Sequence, residues 1–227
     1  MTEFAKRLLG LSGSALVAAT LLAAPLSTPS AVAAPCPDVQ VVFARGTTEP
    51  PGVGGIGQAF VDSLQSQVGA KSVDVYPVTY PATIDFPTAA QGVVDASNHV
   101  RQMAASCPST KMVLGGYSQG AAVIGYLTAA SIPAGYTLPP DITGPMSPDV
   151  AKHVAAVALF GQPSSRFLTA IDAPPIAVGP LYAPKTIDQC IADDPICTND
   201  GGNPGAHGLY VANGMVDQAA AFAAQRL

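Results

Sequence analysis

The pentapeptide Gly116-Tyr117-Ser118-Gln119-Gly120 constrains this chain more than any other segment, because of what stands on either side of it. Ahead lies the apolar run Met112-Val113-Leu114, which reads as a buried strand. Behind lies Ala121-Ala122-Val123-Ile124-Gly125-Tyr126-Leu127, which reads as a helix. A strand joined to a helix through G-x-S-x-G turns so sharply that only glycine fits at the flanks, and the serine is thrust out at the end of the strand. The helix N-terminus then directs free amides and partial positive charge at any anion that forms beside that serine. The segment has neither the lysine of a Walker loop nor the G-x-G-x-x-G spacing of a dinucleotide fold, so its glycines do not read as a phosphate cradle.

The rest of the chain repeats the alternation of strand and helix. Val39-Gln40-Val41-Val42-Phe43 reads as a first buried strand and Ser72 to Val78 as a second, with a helix between them on Ile56, Phe60, Val61, Leu64 and Val68 that stops at Gly69. Ala89 to Ala105 carries a second helix through Val93, Val94, Val100 and Met103. Val154 to Phe160 is a further strand, Thr186 to Cys190 a short last one, and Val211 to Arg226 an Ala-rich closing helix. Prolines crowd the stretch from Ile132 to Asp149, which reads as an irregular surface loop. Strands apolar on both faces and separated by helices predict an α/β three-layer sandwich. Its mostly parallel central sheet has about five strands, with helices on both faces and little chain left for a large lid.

Lys6 and Arg7 precede an uncharged apolar stretch from Leu8 to Ala24, followed by Pro25 and small residues ending in Ala31-Val32-Ala33. This pattern predicts a secretory leader over residues 1–33 and a single domain over 34–227. Gly10, Ser12, Gly13, Ser14 and Thr20 break the stretch, which makes it a poor membrane anchor, and Pro35 before Cys36 fits lipid attachment poorly. With 11% charged residues and a formal net charge of −5, the chain has no electrostatic footprint for nucleic acid or an anionic membrane. A secreted monomer without lasting membrane insertion is expected. Four cysteines in an exported chain imply two disulfides. Three pairings are possible; the short spacing of Cys190 and Cys197 favours a local ring, leaving Cys36 to join Cys107. No CxxC pair or histidine cluster accompanies them, and no metal is expected.

A serine hydroxyl is a weak nucleophile at neutral pH and needs a base that is itself held by an acceptor. Only His99, His153 and His207 exist, and no glutamate follows Glu49, so the acceptor must be an aspartate. In the α/β-hydrolase chain order of serine, acid, histidine, His99 is excluded by position and reads as a solvated helix residue. His153 follows Lys152 and leads into a strand, where a structural or exposed role is expected. His207 lies in the glycine-rich loop Gly201 to Gly208, which suits an imidazole presented at the sheet edge. Asp193 and Asp194 sit inside the Cys190 to Cys197 ring, with Asp188 and Asp200 as competitors.

The segments Phe43-Ala44-Arg45-Gly46-Thr47-Thr48-Glu49, Gly115 to Gly120, Cys190 to Cys197 and Gly205-Ala206-His207 resemble the cutinase family, and the likeness spans the mature chain. The resemblance implies Ser118 as nucleophile, His207 as base and Asp194, three residues before the second ring cysteine, as the acid in preference to Asp193. It implies an oxyanion hole from Thr47 and Gln119; fungal cutinases carry serine where this chain has Thr47, so the backbone amide is the expected donor there. The implied activity is that of a secreted serine carboxylesterase acting on short- to medium-chain esters through an acyl-enzyme on Ser118, without a cofactor. A phospholipase, a cell-envelope lipid esterase and an acyltransferase are alternatives on the same residues, and a non-catalytic interaction protein is the alternative from another class. Tyr80 to Phe86 and Ile176 to Ile187, both apolar, are the expected walls of the acyl site.

Overall fold

Five parallel strands form one sheet in the order β2-β1-β3-β4-β5, in a computed structural model that describes residues 36–133 and 144–227. The leader expected over residues 1–33, its cleavage site, and residues 134–143 of the proline-rich stretch lie outside the described residues. The three inner strands are β1 (Val39–Ala44), β3 (Lys111–Tyr117) and β4 (Val154–Phe160). The edges are β2 (Val73–Pro77) and β5 (Thr186–Gln189).

Because side chains alternate across a strand, each inner strand feeds two cores. Val42, Met112, Leu114, Val157 and Leu159 pack on one face against α2 (Ala89–Ser106) and α3 (Gln119–Leu127). Val41, Phe43, Val113, Ala158 and Phe160 pack on the other against α1 (Gly54–Gln67) and α6 (Met215–Ala224). This is the α/β three-layer arrangement that the alternation predicts. At the end of α1, Gly69 adopts φ +65°, a left-handed turn that spares the chain a Cβ clash.

Several boundaries differ from expectation. The closing helix starts at Met215, because the chain is still turning at Leu209–Gly214, where Asn213 N donates to Leu209 O and Gly214 N to Val211 O. Within the proline-rich stretch, Pro148–Ala151 forms a helical turn, α4, capped by Ser147 Oγ; proline is tolerated there because its missing N–H is one the first turn does not use. A short helix, α5 (Ser165–Ala170), capped by Ser164 Oγ, has too few apolar repeats to announce itself. His99 is half-buried and stacked 3.5 Å above the Tyr76 ring, not solvated.

Two disulfides are present, Cys36–Cys107 and Cys190–Cys197. The first joins the segment entering β1 to the end of α2; the second closes a small ring just after β5.

Candidate functional site

The strand order reverses between β1 and β3, and in a parallel α/β sheet the crevice at the carboxyl ends of such strands is where ligands bind. Ser118 stands there, at the end of β3, with φ +55° and ψ −118°. A non-glycine residue so placed carries strain on the order of 1–3 kcal/mol and must be held by its neighbours. Its N–H donates to Phe160 O at 2.8 Å and its carbonyl accepts from Ala122 N at 3.1 Å. The flanking glycines are obligatory: a Cβ on Gly116 would lie 2.2 Å from Gly120 O, and one on Gly120 2.0 Å from Ala44 O.

His207 lies on a 3-10 turn, Pro204–Gly208, that Asn203 Oδ1 caps by accepting from Gly205 N at 3.0 Å. Its Nε2 is 2.8 Å from Ser118 Oγ and its Nδ1 is 2.7 Å from Asp194 Oδ2. With the Nδ1 proton directed at a carboxylate, Nε2 is left as the acceptor facing the serine hydroxyl. Tyr117 stacks on the imidazole at 5.0 Å between centroids and donates its hydroxyl to His207 O at 2.8 Å, which fixes the ring from the β3 side.

Asp194 is 0% exposed. Burial works against its charge, but the hydrogen bonds from Tyr210 OH (2.6 Å), His207 Nδ1 (2.7 Å) and Ile196 N (2.9 Å) outweigh it and hold the carboxyl below its ordinary value of 3.8. Asp193 turns the other way, with its carboxylate accepting from Gly202 N at 2.7 Å. Among the described residues, Asp200 reaches only an exposed Arg166, at 3.9 Å, and Asp188 only Gln162 Nε2, at 3.5 Å. His153 sits at the start of β4, where its carbonyl accepts from Met112 N, at the opposite end of the strands from Ser118.

Thr47 and Gln119 line the same cleft as Ser118 and His207, and neither backbone N–H has a hydrogen-bond partner among the described residues. The loop bearing Thr47 is held rigidly by two charged side chains. Buried Arg45 donates to the carbonyls of Glu49 (2.9 Å), Val78 (3.4 Å) and Tyr80 (2.6 Å), while Tyr80 donates its hydroxyl back to Arg45 O. The Glu49 carboxylate accepts from Gly46 N at 2.5 Å and Gly55 N at 2.8 Å. Gln119 Nε2 donates to Thr83 O at 2.9 Å, tying α3 to the loop opposite.

The cleft has a volume of about 520 Å³, with Ile84, Phe86, Phe167, Ile171 and Ile196 forming its apolar walls. One wall is the expected Tyr80 to Phe86 loop. The other is built by α5 and the residue after it, through Phe167 and Ile171, in place of the expected Ile176 to Ile187. Ile187 belongs to β5 and packs on the inner core, and Ile176 lines a separate, smaller hollow. Arg45, Glu49, Tyr117 and Tyr210 also went unread in the sequence as site residues; for Tyr210 the signal available was its three-residue spacing from His207.

The family model for cutinases matches residues 35–227. Among the most similar curated proteins, that named "Probable carboxylesterase Culp5" of Mycobacterium tuberculosis is 59% identical over 168 residues, covering 74% of this chain and 95% of its own. Phospholipase Culp4 of the same organism is 50% identical over 224 residues, covering 98% of this chain and 93% of its own. Among solved structures, the Trichoderma reesei cutinase in complex with a C11Y4 phosphonate inhibitor superposes with a TM-score of 0.63. It is 34% identical, with 84% of this chain and 77% of that chain covered.

Proposed function

The chain belongs to the cutinase family and is a carboxylic ester hydrolase, and from that premise we propose that Ser118, His207 and Asp194 are its catalytic triad and the Thr47 and Gln119 amides its oxyanion hole. The observation that carries this reading is the unbroken hydrogen-bonded line from Ser118 Oγ through the imidazole to Asp194, at 2.8 and 2.7 Å.

In this mechanism Ser118 Oγ attacks the ester carbonyl carbon while its proton passes to His207 Nε2. The carbonyl oxygen becomes an oxyanion against the two amides, Thr47's set by the loop that the Arg45 and Glu49 contacts hold and Gln119's by its place as the first residue of α3, so neither needs to reorganise as charge develops. Collapse expels the alcohol, which takes the proton from Nε2. Water, deprotonated by the same nitrogen, then attacks the acyl-enzyme, and the acid leaves as Ser118 recovers its proton. Asp194 remains ionised throughout, orienting the imidazole and stabilising its charged form.

The open, apolar cleft supports short- to medium-chain acyl groups as the substrate class. Cleavage of phospholipid acyl esters is a second reading, favoured by the likeness to phospholipase Culp4 over almost the whole chain. Two disulfides support export through the residue 1–33 leader, and no helix among the described residues is long and apolar enough to cross a membrane. We take the enzyme to act as a monomer.

A fluorophosphonate that labels activated serines tests the nucleophile without a guess about substrate. Labelling that maps to Ser118 and vanishes in Ser118→Ala is expected, and labelling elsewhere would remove the reading. A series of nitrophenyl esters of rising acyl length, beside a phosphatidylcholine substrate, then separates the two substrate classes.

A further inference from the structure

Tyr210 follows His207 by three residues across a chain still turning in 3-10 fashion, with Leu209 N donating to Ala206 O at 3.1 Å, and this spacing brings the two rings together edge-to-face, 6.3 Å between centroids. Tyr210 is 0% exposed. Its ring meets Phe160 edge-on at 6.1 Å and Tyr117 at 5.9 Å, contacts that a phenylalanine would make equally well. The hydroxyl is therefore surplus to packing, and a buried hydroxyl costs free energy unless it is bonded. It lies 2.6 Å from Asp194 Oδ2, the same oxygen that receives His207 Nδ1, and 3.5 Å from Cys197 Sγ, a far weaker acceptor.

We propose that Tyr210 is a positioning residue of the ester hydrolysis: by donating to the oxygen that orients the imidazole, its hydroxyl locks the Asp194 carboxylate in rotation and tempers its pull on the His207 proton. The inference rests on the triad reading above. A buried carboxylate bonded at that oxygen to histidine alone concentrates its charge there and holds an imidazolium tightly. A second donor on the same oxygen spreads the charge, so the proton taken from Ser118 is returned more readily to the leaving alcohol. Besides His207, the ionisable group facing this pair is Tyr117 from β3, committed to His207 O; Glu49 reaches Tyr117 but is committed to the Gly46 and Gly55 amides, and Asp193, next to Asp194 in the chain, is turned to Gly202 N. None of them is disturbed by removing the Tyr210 hydroxyl.

The test is Tyr210→Phe in the mature protein, assayed on a soluble chromogenic ester across the acid limb of its pH profile. Loss of the donor is expected to move that limb to higher pH. We expect kcat to fall about three- to tenfold with KM within twofold, since a hydrogen bond to a charged group is lost and Tyr210 does not line the cleft. The proton resonance of His207 Nδ1–H should move further downfield. Replacing Tyr210 with 3-fluorotyrosine, a stronger donor of nearly the same shape, should move the limb to lower pH, and it decides the question if the phenylalanine variant does not fold. A folded Tyr210→Phe with the limb and the resonance unmoved overturns the proposal, as does a loss equal at every pH. Asp194→Asn, measured alongside, separates the failures. If that variant is active, the triad reading falls and this inference with it. If it is inactive while Tyr210→Phe matches wild type throughout, only the inference falls.

Discussion

At the scale of single residues, the site is a set of groups whose roles are separable by substitution although their effects are not additive. Ser118→Ala and His207→Ala should each lower kcat by on the order of 10⁶, and the double variant should be no worse than either, because the proposed nucleophile and base act as a unit. Initial rates on a chromogenic ester decide this, and a His207→Ala enzyme with most of its activity would return His153 to consideration. Asp194→Asn should cost orders of magnitude while Asp193→Asn costs little, since only Asp194 meets the imidazole. Asp194 also sets an acid limit on stability. Its folded value is depressed, so the stabilisation is complete above the ordinary value of 3.8 and is lost as pH falls through the lower, folded value. Urea midpoints of wild type and Asp194→Asn should therefore converge as pH is lowered through that range. A pH-independent gap between them would show that the charge of Asp194 contributes nothing to the fold.

At the scale of elements, legibility followed the strength of local signals. β1, β3 and β4 were readable because both faces of each are buried and their apolar runs are nearly continuous, and the elbow was readable because Gly116 and Gly120 are there for steric reasons that act within a few residues. The wall formed by α5 was not. Phe167 and Ile171 are ordinary apolar residues whose place in the cleft depends on where a six-residue helix comes to lie in the fold, which no local pattern encodes. Tyr210 was missed for a similar reason, since its partner Asp194 comes from another loop, whereas Glu49 was missed although both of its partners, the Gly46 and Gly55 amides, are close in sequence. On the proposed triad, the Cys190–Cys197 ring is the element that turns local spacing into catalytic geometry. Its carboxylate is further pinned through the backbone, where Thr198 N and Oγ1 both donate to Asp194 O, at 3.0 and 2.6 Å. A ring this short restrains the unfolded chain by roughly 2–3 kcal/mol, so replacing both cysteines with serine should lower Tm modestly. The esterase rate should nonetheless fall sharply. A folded variant with wild-type turnover would show that the Thr198 and Ile196 contacts hold Asp194 without the ring.

At the scale of the whole molecule, the site exists only because distant parts of the chain meet: Thr47 follows β1, Ser118 follows β3, Asp194 follows β5, and His207 precedes α6. The sheet that gathers them has its first strand inside, between β2 and β3, so β1 and β3 must stay in register for Thr47 and Ser118 to face one cleft. The Cys36–Cys107 bridge acts on that pair from the other end. Cys36 precedes β1 and Cys107 precedes β3, so the bridge joins the amino ends of two parallel strands, about 20 Å from Ser118 at roughly 3.3 Å per residue. Its contribution is one of stability at a distance, and with a sequence separation of 71 residues the chain-entropy cost it removes is about 4–5 kcal/mol. Replacing Cys36 and Cys107 together with serine should therefore lower Tm by on the order of 10 °C or more, given about 2–4 °C per kcal/mol for a domain of this size. Turnover per folded molecule, measured well below the new Tm, should stay within about twofold of wild type, because no catalytic contact passes through the bridge. The two double replacements thus predict opposite patterns, a stable but slow enzyme for the ring and a fast but fragile one for the long loop. Peptide mapping under non-reducing conditions fixes the pairings first, and calorimetry with single-turnover assays on both variants then reads the contrast. A Cys36/Cys107 variant that keeps its Tm but loses activity would mean that the amino ends of the strands are coupled to the cleft by something other than stability.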